Sequence, residues 1–249
     1  LLLLSFIIPL SRLALNACYG WREIDLWNLV SGPLRDSLLI SGIACGVLIV
    51  SALIVTYAKR LFPNILMKLL GKLCMLGYAV PGAVVAISVL IYFSDIGKLI
   101  GGSSNDISLT RIMFTLTPIG LIVAYAVRFM TPALAPIEAG MERISYSMDE
   151  ASALLGRSSW GGFFRVHLPL LRLPLLGALI VLFVDVLKEL PLTLVLRPPN
   201  VETLATTCYG LIQKEERIAD GSLPALILVV VGTLGVLALH GLIRRRTVY

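Results

Sequence analysis

Three stretches of the chain run for more than twenty residues without a formal charge: Ser37–Ala58 and Leu73–Ser94, 22 residues each, and Gly221–Ile243, 23 residues with His240 as its one titratable group. A helix that crosses the hydrocarbon core of a bilayer needs about 20 mostly apolar residues. Two further segments qualify with interruptions. Between Arg111 and Arg128 lie 16 uncharged residues, and the apolar character continues to Leu134, so Arg128 is expected to snorkel at an interface. Leu170–Leu196 is apolar except for Asp185, Lys188 and Glu189. The chain opens on Leu1–Leu15, broken only by Arg12 and lacking the basic segment that opens a signal peptide. That run reads as the remainder of a cut-off helix, in a fragment or in the second half of a longer chain. The expectation is an all-α, polytopic membrane protein with five full transmembrane helices plus a truncated N-terminal one. Residues 1–249 would form a single transmembrane domain.

Composition agrees. Of the 249 residues 57% are apolar and 14% charged, and the mean hydropathy is +0.91, against roughly 45–50% and 25% in soluble domains. A water-soluble globule, a disordered chain, a disulfide-stapled secreted module and a nucleic-acid-binding domain are all excluded, although the net charge is +6. The cysteines, Cys18, Cys45, Cys74 and Cys208, form no C-x-x-C or C-x-x-H pair, so the spacing supports no metal site.

The charge is informative by location. Alternating the spans gathers Lys59, Arg60, Lys68, Lys72, Arg128, Arg143, Arg157, Arg165, Arg172 and Arg244 to Arg246 on one face, with Glu138, Glu142, Asp149 and Glu150. Positively charged loops stay in the cytoplasm, which puts that face and the C-terminus inside the cell.

One loop on this face, 132–169, is longer than the others and patterned. Pro136 suits a helix first turn, and Ile137, Met141 and Ile144 recur at helical spacing. Ser147-Met-Asp-Glu150 fits a capping box, with Asp149 and Glu150 at the positive end of the helix dipole. This short helix would stop at Gly156, a natural C′ residue. A second short helix would follow, capped by Ser158 or Ser159, with Trp160, Phe163 and Phe164 on its apolar side and Leu168-Pro169 at its end. Such a pair suits the groove of a cytoplasmic partner or a place flat on the headgroups.

Glu150-Ala-Ser152, Gly156 and Val166-His-Leu-Pro169 carry a resemblance. Their spacing is similar to the EAA loop, E-A-A-x3-G-x9-I-x-L-P, of the membrane subunits of binding-protein-dependent ABC importers, with Ser152 for the second alanine and Val166 for isoleucine. The resemblance implies the MetI-like permease fold and makes 133–169 a cytoplasmic coupling loop. Asp149, Glu150, Ala151, Ser152 and Gly156 would contact an ATPase subunit. A second resemblance lies at Asp185-Val-Leu-Lys-Glu-Leu-Pro-Leu-Thr-Leu-Val-Leu-Arg-Pro198 and Glu202-Thr-Leu-Ala-Thr206, which are similar to the permeases of ferric iron importers. Those often comprise two repeated halves, and this chain resembles the second. The implied partners are ATPase subunits, a second permease half (fused or separate), a periplasmic substrate-binding protein and the bacterial inner membrane, with no nucleic acid. Thiamine, polyamine and sulfate importers share the architecture.

Asp185, Lys188 and Glu189 fall at i, i+3 and i+4, on one helical face. Ionised groups at membrane depth normally face a bundle interior or water, so this face would line the translocation path or its gate, Pro191 breaking the helix just beyond. The alternative is a wet periplasmic rim. There is no G-x4-G-K-[ST] motif, no Ser/His/Asp set and no H-E-x-x-H. The chain is therefore expected to be non-catalytic, binding no cofactor or metal, with ATP and magnesium on a partner subunit. Two rival readings remain at this stage: an ion-coupled secondary transporter using Asp185, Lys188 and Glu189, and a non-transporting scaffold.

Overall fold

A computed structural model of the chain describes residues 2–20, 26–101, 117–214 and 216–247. Every regular element among these is helical. Helix α1 is Leu2–Gly20 and α2 is Leu26–Leu61; α3, Ile65–Leu76, continues into a 3₁₀ turn, Gly77–Ala79, before α4, Gly82–Gly101. Next come α5, Ile119–Glu142, and two short helices, α6, Tyr146–Leu154, and α7, Ser159–Gly162, the latter prolonged by a π-turn, Phe163–His167, and a last turn, Leu168–Leu170. Helix α8 is Arg172–Leu187, α9 Pro191–Leu196, α10 Leu204–Tyr209 and α11 Ile218–Thr247. The Gly-rich stretch Ile100–Asn105, which reads in the sequence as a turn, begins within α4, and its remainder and the start of the third span, 112–116, lie outside the described residues.

Leu29–Leu61, Ile119–Glu142 and Ile218–Ala238 are each long and apolar enough to cross a membrane, and two bent pairs bring the number to five if each counts as one span. The shorter apolar helix α1 lies against α11. Three helices thus qualify outright, and the expected five are reached by counting each bent pair as one span.

The core is the meeting of α2, α5 and α8. Ala44, Leu48 and Ala52 recur every fourth residue on α2 and are fully buried with Leu121, Ala124 and Tyr125 of α5 and Ala178 and Leu182 of α8. Between membrane helices, association rests on close packing, and small residues allow it. The opposite face of α2 is equally apolar but open: Leu38, Leu39, Ile43, Val50 and Ile54 are 42–61% exposed. A helix with apolar residues on both faces suits a protein core on one side and hydrocarbon on the other.

Three spans depart from straight helices, each at a proline. The expected span Leu73–Ser94 is instead a corner of 114° between Ile65–Ala79 and Gly82–Ile96. Pro81 pushes the preceding residue out of the α region, and Val80 is extended at φ −82°, ψ 134°. The Thr131 hydroxyl donates to the Met75 carbonyl at 2.7 Å and Arg128 donates to that of Val80, so two carbonyls near the corner are paired with α5. Helix α5 is kinked at Phe129 (φ −99°, ψ 15°), where Pro132 removes the bond to the Arg128 carbonyl and its ring crowds that oxygen. Pro136 therefore lies inside α5 and does not start a helix, correcting the sequence expectation. The expected span Leu170–Leu196 is likewise divided: a bend of 70° at Leu171 precedes α8, and α8 ends at Leu187, four residues short of Pro191.

Candidate functional site: a clamped hairpin and a deep ion pair

Helices α6 and α7 form the expected hairpin, with one correction at its start. The N-cap is Ser145, whose hydroxyl accepts from the Ser147 amide at 3.3 Å. Ser147 is already helical, so Ser147–Glu150 is not a capping box. The expected end is found: Gly156 has φ +73°, and the Gly156 and Arg157 amides return to the Ala153 and Ser152 carbonyls at 2.9 and 3.2 Å. Ser158 caps α7 through the Gly161 amide at 3.2 Å. Gly162 allows the two helices to touch, since a Cβ there would lie 3.2 Å from the Ser152 hydroxyl.

The hairpin is fastened to the end of α2. Arg60, its side chain 7% exposed, donates from Nε to Asp149 Oδ2 at 2.8 Å. Its Nη1 donates to the Met141 carbonyl at 2.9 Å, and its Nη2 to Ile144 at 2.9 Å and Ser145 at 3.1 Å. The Met141 carbonyl is in the last turn of α5, where a cation is favoured by the helix dipole, and the other two lie in the link to α6. One guanidinium thus caps α5 and holds α6. His167 Nε2 donates to the other oxygen of Asp149 at 2.7 Å, the Tyr57 hydroxyl donates to the Ser159 carbonyl at 2.6 Å, and the Tyr57 ring packs on Phe163. Beside them Lys59 pairs with Glu138 at 2.5 Å.

Of the five residues expected to meet a partner, Glu150, Ala151 and Gly156 are exposed, whereas Ser152 is buried and Asp149 is engaged by Arg60 and His167. The aromatic side of α7 is also divided. Phe163 is buried, while Trp160 and Phe164 stack on each other in the open. Leu154 and Leu155, at the turn, are 89% and 77% exposed.

The His167 imidazole sits on the hairpin, outside the spans. Burial holds its pKa below the ordinary value, with the Arg60 charge acting in the same sense and Asp149 against it. The geometry agrees with a neutral ring, because Nδ1 is shielded and has no partner for a second proton. Between its lowered pKa and about 6.5, the unfolded chain binds a proton that the folded hairpin does not, so stability is lost as pH falls. The protection of the 146–154 amides, corrected for the pH dependence of intrinsic exchange, is expected to fall below pH ~6.5 in the wild type and to show a flatter pH dependence in His167→Gln, which keeps a donor toward Asp149. A wild-type profile as flat as the variant's would contradict this assignment.

The charged trio of the fifth span does not share one role. Lys188 is the C-cap of α8 and pairs with Asp185 at 2.8 Å. Glu189, already past the helix, turns to Arg128 of α5, with Nε and Oε2 3.6 Å apart and side chains 21% and 10% exposed. Arg128 is thus held against Glu189 and the Val80 carbonyl, partly buried in the bundle. Below the pair, Thr193 donates to the Glu189 carbonyl and bonds the Tyr125 hydroxyl, both at 2.6 Å. Sequence reasoning also missed Tyr57 and Arg60 as the mount. For Arg128 a signal existed, an arginine flanked by apolar residues on both sides, which at membrane depth points to a functional position.

A bundle of apolar helices long enough to span a membrane, carrying a clamped hairpin, defines a polytopic membrane protein. The chain belongs to the family of the binding-protein-dependent transport system inner membrane component, whose model matches residues 39–249. It is similar to the Fe(3+)-transport system permease protein FbpB 2 of Haemophilus influenzae, 27% identical over 174 residues that make up 70% of this chain and 32% of that protein. With the ferric transport system permease protein FbpB of Actinobacillus pleuropneumoniae it shares 30% identity over 190 residues, 76% of this chain and 24% of the relative. The chain spans about a third or less of the length of these ferric relatives. A putative 2-aminoethylphosphonate transport system permease protein PhnV of Salmonella typhimurium is 26% identical over 228 residues, 88% of this chain and 78% of that one. Among solved structures, a bacterial ABC transporter involved in the import of the acidic polysaccharide alginate superposes with a TM-score of 0.72 at 17% identity, covering 98% of this chain and 92% of that one. The fold is the MetI-like permease fold expected from the sequence.

Proposed function

We propose that the chain is a membrane-spanning half of an ATP-driven importer that moves ferric iron delivered by a periplasmic binding protein. The hairpin would lie on the cytoplasmic face, as the basic loops require, and dock on an ATPase subunit. A second permease half, fused or separate, would complete the path, and ATP with magnesium would bind the ATPase alone. The observation that carries the reading is the division of labour in the hairpin. Asp149 and His167 fasten it from within, while Leu154, Leu155 and Trp160 face outward, and Ala151 and Leu155 line a cleft of about 340 Å³ with Arg157 and Arg165. Large apolar side chains held open on a rigid mount fit an interface better than a solvated loop. Glu150 and Gly156 complete the contact surface, and Asp185, Lys188 and Glu189 would line the path or its gate.

Leu154→Asp with Leu155→Asp is the direct test. Both side chains are almost free, so the fold should tolerate the change within about 0.5 kcal/mol. Copurification of the ATPase subunit should fall at least tenfold, and vanadate-sensitive uptake of ferric iron should be lost. Unchanged copurification would refute the docking role. The 2-aminoethylphosphonate relative, matched over most of its length, supports a second cargo, and competition between the two substrates in the same uptake assay separates them.

A further inference from the structure

Three helix discontinuities meet at one ion pair. Arg128 donates to the carbonyl of Val80, at the corner between α3 and α4, and stands next to the Phe129 kink of α5. Its partner Glu189 occupies the gap between α8 and α9 and accepts from the Leu192 amide. Gly82, the first residue of α4, leaves room for the carboxylate: a Cβ there would lie 2.6 Å from Glu189 Oε1.

The pair is nevertheless not drawn tight. Arg128 Nε is 3.6 Å from Glu189 Oε2, shielded from solvent and without a hydrogen-bond partner, and the Leu192 amide is 3.4 Å from Oε1. A buried pair offsets its desolvation only when its geometry is excellent. One that served only to fasten the bundle would be expected to close, as Lys59–Glu138 does at 2.5 Å. Helix breaks are where rigid segments pivot, and charges at membrane depth mark functional paths and moving parts.

We propose that Arg128 and Glu189 form the latch of the gate, opening and closing once in each transport cycle. Arg128 is the positioning residue and stays on the Val80 carbonyl. Glu189 moves with α9, to which the Thr193 hydroxyl ties its carbonyl. The latch rests on the importer reading.

The test uses the full-length importer with its ATPase and binding protein in proteoliposomes, on a cysteine-free background carrying Arg128→Cys and Glu189→Cys. Bridging the two thiols with a bifunctional methanethiosulfonate long enough to replace both side chains is expected to cut ATP-driven uptake at least tenfold, and a thiol reductant to restore it. Equal uptake in the bridged and reduced forms would mean a static fastening and overturn the latch. If the reduced pair itself fails to transport, infrared difference spectra between nucleotide-free and vanadate-trapped protein decide. A carboxylate band that changes in the wild type and is missing in Glu189→Gln supports the latch, and no such band overturns it. Uptake by the wild type that needs no ATP is a separate outcome, which would refute the importer reading itself.

Discussion

Arg60→Ala is expected to unseat the hairpin, raising the exchange rate of the 146–154 amides roughly 100-fold while the spans keep their protection. The substitution removes every bond of a guanidinium that meets one carboxylate and three backbone carbonyls. Removing one member of a buried pair typically costs about 3–5 kcal/mol, because the other charge is left uncompensated. Asp149 is one-third exposed, so the lower end of that range applies, and about 3 kcal/mol corresponds to a little over two decades in the opening equilibrium. Arg60→Lys should fall between, since an ammonium keeps the charge but lacks the planar fork that reaches several acceptors at once. The docking proposed above should weaken in the same order. Protection left unchanged by the alanine would show that α6 is held by something other than this side chain.

Gly77→Ala should have the largest effect on the bundle itself. A Cβ at Gly77 would run into the carbonyl of Val127, a backbone group of α5 that no rotamer change can move aside. Either the corner or the α5 helix must shift, at a cost of about 3 kcal/mol, read as a drop in the midpoint of thermal unfolding in detergent. Gly42→Ala is the control, because nothing lies within 4 Å of a Cβ there, and alanine in a helix interior is about 1 kcal/mol better than glycine. Equal midpoints for the two variants would argue against the packing of α3 on α5 described above.

Local features were legible in the sequence, and features that depend on a distant partner were not. Gly156 ends α6 because a short-range need for positive φ selects glycine. The uncharged runs announce spans because hydrocarbon tolerates little else. The cap of α6 was misplaced by two residues because Ser145 and Ser147 are equally good acceptors, and Asp149 and Glu150 strengthen either register. Arg60 looked like any basic residue at a helix end. Its role comes from carbonyls 81 to 85 positions away. Asp149 was expected on the outer surface for the same reason, since nothing local tells a carboxylate that meets a partner from one already taken by Arg60 and His167. The trio Asp185, Lys188 and Glu189 was read on one helical face because periodicity assumes that the helix goes on, whereas α8 stops at Leu187.

The kink at Phe129 leaves α5 with an arm from Met130 to Glu142, and that arm runs between the two regions that matter most. Its far end is gripped by Arg60 beneath the hairpin, and its near end meets the kink, with Arg128 just across it. At 1.5 Å per residue the arm is roughly 20 Å long. A swing of only about 2° about the gripped end would displace the near end by roughly 0.7 Å, comparable to what separates a 3.6 Å contact from a formed hydrogen bond. A very small tilt of the hairpin would thus have stroke enough to set or release a charge contact inside the bundle.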